Sequence, residues 1–176
     1  MLRKLLTKQT EDDQDNETQK KNKQENLQEL VKKLKELLDA VSECCCLASL
    51  HISKNETVLI YADNSLLEEF IAQTFEEVHY TLVIVLKNEN KKPQINSKLS
   101  KNEIIFISEK SVFSIMNKIN KVFMDSHAIM HDGAVMNNQG SYNIAIVAKE
   151  FAVPLFIIAP RYKFTPLYAF AQDTFN

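Results

Sequence analysis

Glycine is nearly missing from this chain. Its 176 residues include only 2 glycines, no tryptophan, 4 prolines and 3 cysteines. Ordinary usage puts glycine at about 7%, roughly a dozen for this length. Collagen-like repeats and glycine-rich linkers are therefore excluded. A GxGxxG dinucleotide fingerprint needs three glycines, and a phosphate loop needs GxxxxGK[ST]; neither can be written here. Charge imbalance is also absent. Lys+Arg total 21 and Asp+Glu 23, a net charge of −2. That gives no global attraction to nucleic acid or to an anionic membrane. No apolar run approaches the ~18 residues of a membrane-spanning helix. Met1-Leu2-Arg3-Lys4-Leu5-Leu6 is too short for an export signal, and acidic residues follow soon after. The expected compartment is the cytoplasm, where thiols stay reduced.

What is present is an ordinary globular composition, 45% hydrophobic and 25% charged, with the length of one domain. Residues 7–26 hold no aliphatic or aromatic side chain. Such a segment cannot bury enough surface to offset its ordering entropy, so 1–26 is expected to be a disordered polar tail and 27–176 the folded domain. Asn26 followed by Glu29 resembles a capping box. Leu27, Leu30, Val31, Leu34, Leu38, Val41, Cys45 and Ala48 then recur at helical spacing. This predicts a long amphipathic helix whose stripe packs on the domain or on a partner subunit. Beyond it, short apolar runs at 57–62, 80–86, 103–108, 121–126 and 154–159 read as strands. Helices are predicted from Leu66 to Val78, over 110–119 and over 141–151, and 87–102 is polar with at most a turn of helix. Strands without alternation, separated by helices, mean a parallel sheet covered on both faces. The fold class is α/β, a doubly wound sheet of about five strands preceded by an amphipathic helix. Ligands in such sheets sit beyond the carboxyl ends of the strands.

Several clusters invite chemistry. Cys44-Cys45-Cys46 cannot all face one metal, since helical neighbours point about 100° apart; they read as small buried hydrophobes. His127 and His131, with Asp125 and Asp132, read as a polar strand-end loop, because no HExxH arrangement accompanies them. His51 and His79 read as structural. No metal and no cofactor is expected. The stretch 132–141, DGAVMNNQGS, is the most informative. Asp132-Gly133 marks a turn. Gly140-Ser141 opens a helix, whose first N–H groups attract anions, or the helix is simply capped by Ser141. Asn137, Gly140 and Ser141 are the anion-site candidates.

Residues 127–160, HAIMHDGAVMNNQGSYNIAIVAKEFAVPLFIIAP, continue as Arg161-Tyr162-Lys163-Phe164-Thr165-Pro166, with Asp173 and Phe175 further on. This run resembles the regulatory-subunit family of translation initiation factor 2B, the guanine nucleotide exchange factor for initiation factor 2. The pattern is an acidic or amide residue with glycine (Asp132-Gly133), six residues, Gly140 with a small hydroxyl residue, a helix with Ala148-Lys149, and a strand opening at Pro154 and closing at Ala159-Pro160. His51-Ile52…Asn55-Glu56 before the first core strand extends the resemblance to about 26–176. Asp132, Gly133, Gly140, Pro154, Pro160 and Lys163 are its structural motif residues. Among the alpha, beta and delta members, the His51–Glu56 stretch and the ending resemble beta most.

The resemblance implies a Rossmann-like fold and a non-catalytic regulatory subunit. Its partners would be alpha- and delta-like subunits, catalytic subunits and initiation factor 2, whose phosphorylation it helps to sense, with no nucleic acid or membrane contacted directly. Helix 141–151 and the strand after it would form much of a subunit interface, given the apolar runs 144–148 and 154–159. The family is related to ribose-phosphate isomerases, which gives the alternative of a sugar-phosphate isomerase or sensor. Those enzymes are expected to carry a catalytic Cys after the first core strand, where this chain has Tyr61-Ala62-Asp63-Asn64. Their catalytic Asp falls at His127. Their Asn-Lys pair falls at Asn137-Asn138, so the Lys is lost. Family members also have a helical domain before the core and continue beyond the last motif, so this chain is expected to be a reduced or C-terminally shortened version.

Overall fold

The computed structural model describes residues 2–75, 78–86 and 103–168, with the side chains of 2–25 and 64 outside the description. The polar stretch 87–102, Asp173 and Phe175 lie outside the described residues. The chain divides into two compact units, Met1–Asp39 and Ala40–Asn176.

Helix α1 runs from Leu2 to Ser49. It therefore starts at Leu2 rather than at Asn26, and passes through the segment expected to be a disordered tail. The physical reason is propensity: residues 2–25 hold no Gly or Pro and are rich in Lys, Gln and Glu, all good helix formers. In the first unit Leu27, Leu30, Val31, Leu34 and Leu38 are exposed, and Lys33 Nζ pairs with Glu29 Oε1 at 2.8 Å one turn away.

The second unit is built on a parallel sheet. Its strands are β1 (Thr57–Tyr61), β2 (Thr81–Leu86), β3 (Glu103–Ser108), β4 (Lys121–Met124) and, after a two-stranded insertion, β7 (Leu155–Ile157). The order across the sheet is β3-β2-β1-β4-β7, and every neighbouring pair is parallel. The chain builds outward from β1 to β3, then returns to the other side of β1 with β4. The direction of winding thus reverses between β1 and β4, where ligands sit in open α/β sheets.

The alternation of side chains along each strand fills two core layers. Val58, Ile60, Leu82, Ile84 and Phe123 pack with Cys45 and Ala48 of α1 and with Leu66, Leu67, Phe70 and Ile71 of helix α2 (Asn64–Thr74). Leu59, Tyr61, Val83, Val85, Val122 and Met124 face the other way. They meet Val112 of the short helix α3 (Val112–Ile115) and Ile144 and Ala148 of helix α4 (Ser141–Glu150). The predicted helix over 110–119 is broken, with 3-10 turns at Glu109–Ser111 and Met116–Lys118 flanking α3.

The insertion between β4 and α4 is an antiparallel pair, β5 (Ala128–Ile129) and β6 (Val135–Met136). It brackets the Asp132-Gly133 turn. Gly133 N donates to Met130 O at 3.0 Å, Ala134 N donates to Asp132 Oδ1 at 3.1 Å, and Gly133 takes φ +82°. The segment after β7 folds back on this pair. A parallel bridge joins Phe164 to Ile129, His131 N donates to Leu167 O, and Lys163 Nζ donates to Ser126 O. Buried Pro160 opens the 3-10 turn Arg161–Lys163 that aims the lysine, and Pro154 O accepts from Val122 N at the start of β7.

The cysteines differ from expectation. Only Cys45 is buried; Cys44 is half-buried and Cys46 exposed, as their divergent directions on one helix require. Desolvation, then Glu69 and Cys44, push the Cys45 thiol up to about 12, so it stays a thiol. Among the described residues no three His, Cys, Asp or Glu side chains converge as metal ligands, and no helix is long and apolar enough to cross a membrane.

Candidate functional site

A cleft of about 400 Å³ opens at the carboxyl end of the sheet. It is lined by Tyr61, Glu109, Asn138, Gln139, Gly140 and Asn143. Each lining residue is placed by an element end. Tyr61 closes β1, Glu109 follows β3, and Asn138 to Asn143 form the last loop residues and first turn of α4. The cleft therefore sits where topology places ligands in this architecture.

Tyr61 is its floor. The phenol donates to Glu109 Oε1 at 2.5 Å and lies 2.8 Å from Gln139 O. Burial comes first, then the hydrogen bond to Glu109 and the charges of Glu109, Asp125 and Asp63; together they push this phenol well above its ordinary value. It is a neutral donor, not a nucleophile. Glu109 lies against Gly140 so closely that a Cβ there would overlap its carboxylate. Gly140 takes φ +98° as the N-cap of α4, with no side-chain capping bond.

The crevice between β1 and β4 is tied shut by Asp125, which is 2% exposed. Its Oδ2 accepts from Asp63 N at 2.8 Å, while Oδ1 is buried without a hydrogen-bond partner. Asn137 Nδ2 donates to Asp125 O at 2.6 Å, and Asn137 Oδ1 accepts from Asn138 N at 2.7 Å.

Of the three anion-site candidates, only Gly140 lines the cleft. Asn137 spends both ends of its amide on fixing the loop. Ser141 is buried and its hydroxyl donates to Asn138 O at 2.6 Å, so it neither caps α4 nor faces a ligand. His127 pairs through Nε2 with Asn138 Oδ1 at 2.7 Å, and His131 packs against Tyr168 with ring centroids 4.9 Å apart. The two histidines are thus occupied separately. His51 stacks on Phe156 at 5.2 Å, and the His79 carbonyl accepts from Asn55 N. Strand-end reasoning points to Ser108–Glu109 as a place for a ligand, but it does not pair Glu109 with Tyr61. The available signal was only their position at the ends of two strands.

A family model described as "Initiation factor 2 subunit family" matches residues 1–176. Translation initiation factor eIF2B subunit beta of Dictyostelium discoideum is 30% identical over 155 residues, which cover 86% of this chain and 39% of that protein. The crystal structure of eIF2B beta from Chaetomium thermophilum superposes with a TM-score of 0.65 at 20% identity, covering 74% of this chain and 43% of that one. The tetrameric eIF2B-beta2-delta2 complex from C. thermophilum gives a TM-score of 0.65 at 20% identity, over 74% of this chain and 45% of that one. These structural likenesses establish the Rossmann-like α/β fold. The chain spans less than half the length of the relatives it matches, and by its end-to-end family match it belongs to the Initiation factor 2 subunit family.

Proposed function

We propose that this chain is a non-catalytic regulatory and scaffold subunit of the guanine nucleotide exchange factor for initiation factor 2. In this reading it acts in the cytoplasm, assembles with alpha- and delta-like subunits and with catalytic subunits, and helps sense phosphorylated initiation factor 2. The observation that carries it is the state of the switch-point cleft. Acid–base catalysis needs a nucleophile and a base aimed at one reacting atom. Here the position after the first core strand offers Tyr61-Ala62-Asp63-Asn64 and no thiol. The tyrosine is a neutral donor to the chain's own Glu109, and His127, where the related isomerases place an aspartate, is bonded to Asn138. The same arrangement weighs against an isomerase.

The proposed subunit contact needs narrowing. Within the apolar run 144–148, Ile144 and Ala148 are buried in this chain's own core. The outward face of α4 is Tyr142 and Ile146, 63% and 47% exposed. We place the contact with a related subunit there. Co-purification tests the whole reading. Tagged chain should recover exchange-factor subunits together with initiation factor 2; recovery of neither would sink it.

A further inference from the structure

We propose that Glu109 is a built-in anion that keeps the switch-point cleft closed to phosphate esters. The inference concerns the cleft alone and holds whether or not the assembly reading does.

The start of α4 is the place in this cleft where an anion would settle. Its first-turn N–H groups have no intrahelical carbonyl to donate to, and the helix dipole places partial positive charge there. Gly140, lacking a Cβ, leaves the backbone open to close approach. That open position is already taken. Both Glu109 oxygens lie under 3 Å from where a Gly140 Cβ would be. The buried Tyr61 hydroxyl donates to the same carboxylate at 2.5 Å. An incoming phosphate would have to expel this carboxylate or sit beside it.

The surroundings make expulsion harder. Asp63 and Asp125 lie near enough to Tyr61 to act on it electrostatically, beside Glu109. So three carboxylates surround the floor of the cleft. Among the described residues, no Lys, Arg or His lines it. Two neighbouring polar side chains, Asn137 and Ser141, bond to the Asp125 carbonyl and the Asn138 carbonyl rather than into the cleft. A cleft that recognises phosphate supplies cations or several converging donors. This one supplies a carboxylate.

The test is thermal denaturation of the full chain with inorganic phosphate and, separately, ribose 5-phosphate, each against chloride at matched ionic strength. Wild type should show no specific shift. Glu109→Ala empties the position and should gain one, about 3–5 °C when phosphate is tenfold above its dissociation constant. Glu109→Gln keeps the bulk but loses the charge, and should fall between the two. Specific stabilisation of wild type by either ligand would overturn the proposal. So would a folded Glu109→Ala that remains indifferent to both. Failure of both variants to fold would also overturn it, by assigning the carboxylate to holding the structure rather than to guarding the cleft.

Discussion

The scarcity of glycine has a consequence at single residues. Helix α4 ends in a Schellman motif: Val153 N donates to Ala148 O at 2.8 Å and Ala152 N donates to Lys149 O at 3.1 Å. The residue between these bonds must be left-handed, and helices that end this way usually put glycine there. This chain puts Ala152, at φ +53°. An alanine pays about 1–2 kcal/mol for that conformation, while glycine pays part of it back as unfolded-state entropy. Ala152→Gly should therefore stabilise the protein by about 0.5–1 kcal/mol, read from denaturant midpoints with an unchanged slope. A neutral or destabilising result would mean that the Ala152 methyl makes a compensating contact. Glycine is kept at Gly140, where Glu109 crowds the Cα, and at Gly133, where the Asp132 turn requires positive φ with open space around it. Two glycines in one loop thus mark two separate demands, close approach and turn geometry.

The elements are pinned together at the end of the sheet opposite the cleft. Glu56, just before β1, takes both oxygens to Lys121 Nζ at 2.8 Å, and Lys121 opens β4. Asn120 Oδ1 accepts from Thr57 N and Asn120 N donates to Thr57 O, each at 2.8 Å, so charge and backbone fix the same register. Burial works against the Glu56 carboxylate, but hydrogen bonds from Lys121 and Ser53 and the lysine's charge outweigh it and hold its pKa below the ordinary 4.5. A depressed acid contributes stability that is complete above its unfolded pKa and is lost as pH falls through the folded one. Glu56→Gln should cost about 1–2 kcal/mol at pH 7. The gap should close as pH falls below 4.5. Equal gaps at pH 7 and pH 3 would show that the pair's charge is not what matters. The residue types of this clamp were visible beforehand in His51–Glu56, but its partner, 65 positions away, was not. The five core strands were legible because each is a run of apolar residues long enough to show itself. The pair β5 and β6 was not, because two-residue strands with half-exposed side chains leave no period to read. Tyr61 and Glu109 stand 48 positions apart. The pairing of β2 with both β1 and β3 brings these strand ends to one edge of the sheet, and α4, reached through β4, lays Gly140 against them.

At the scale of the whole molecule, α4 serves two surfaces, and the apolar run that looked like one signal is really two. Ile144 and Ala148 are 1% exposed and belong to the layer with Leu59, Val83 and Val122. Tyr142 and Ile146 point away from that layer and touch water. A core position and a proposed interface position on one helix should separate cleanly by experiment. Ile144→Ala should lower stability by about 2–5 kcal/mol through lost burial and a cavity. Tyr142→Glu with Ile146→Glu should leave the isolated chain within about 1 kcal/mol of wild type, since exposed substitutions move stability little. The same double substitution should abolish association with related subunits, because unpaired charge at the centre of an apolar contact is costly to desolvate. Size-exclusion chromatography with light scattering, run with partner subunits present, reads the second effect, and thermal denaturation reads the first. If wild type runs as a clean monomer among its partners, the α4 contact is wrong. If the double variant assembles as wild type does, a contact exists elsewhere, and α4 owes its outward tyrosine and isoleucine to something other than assembly.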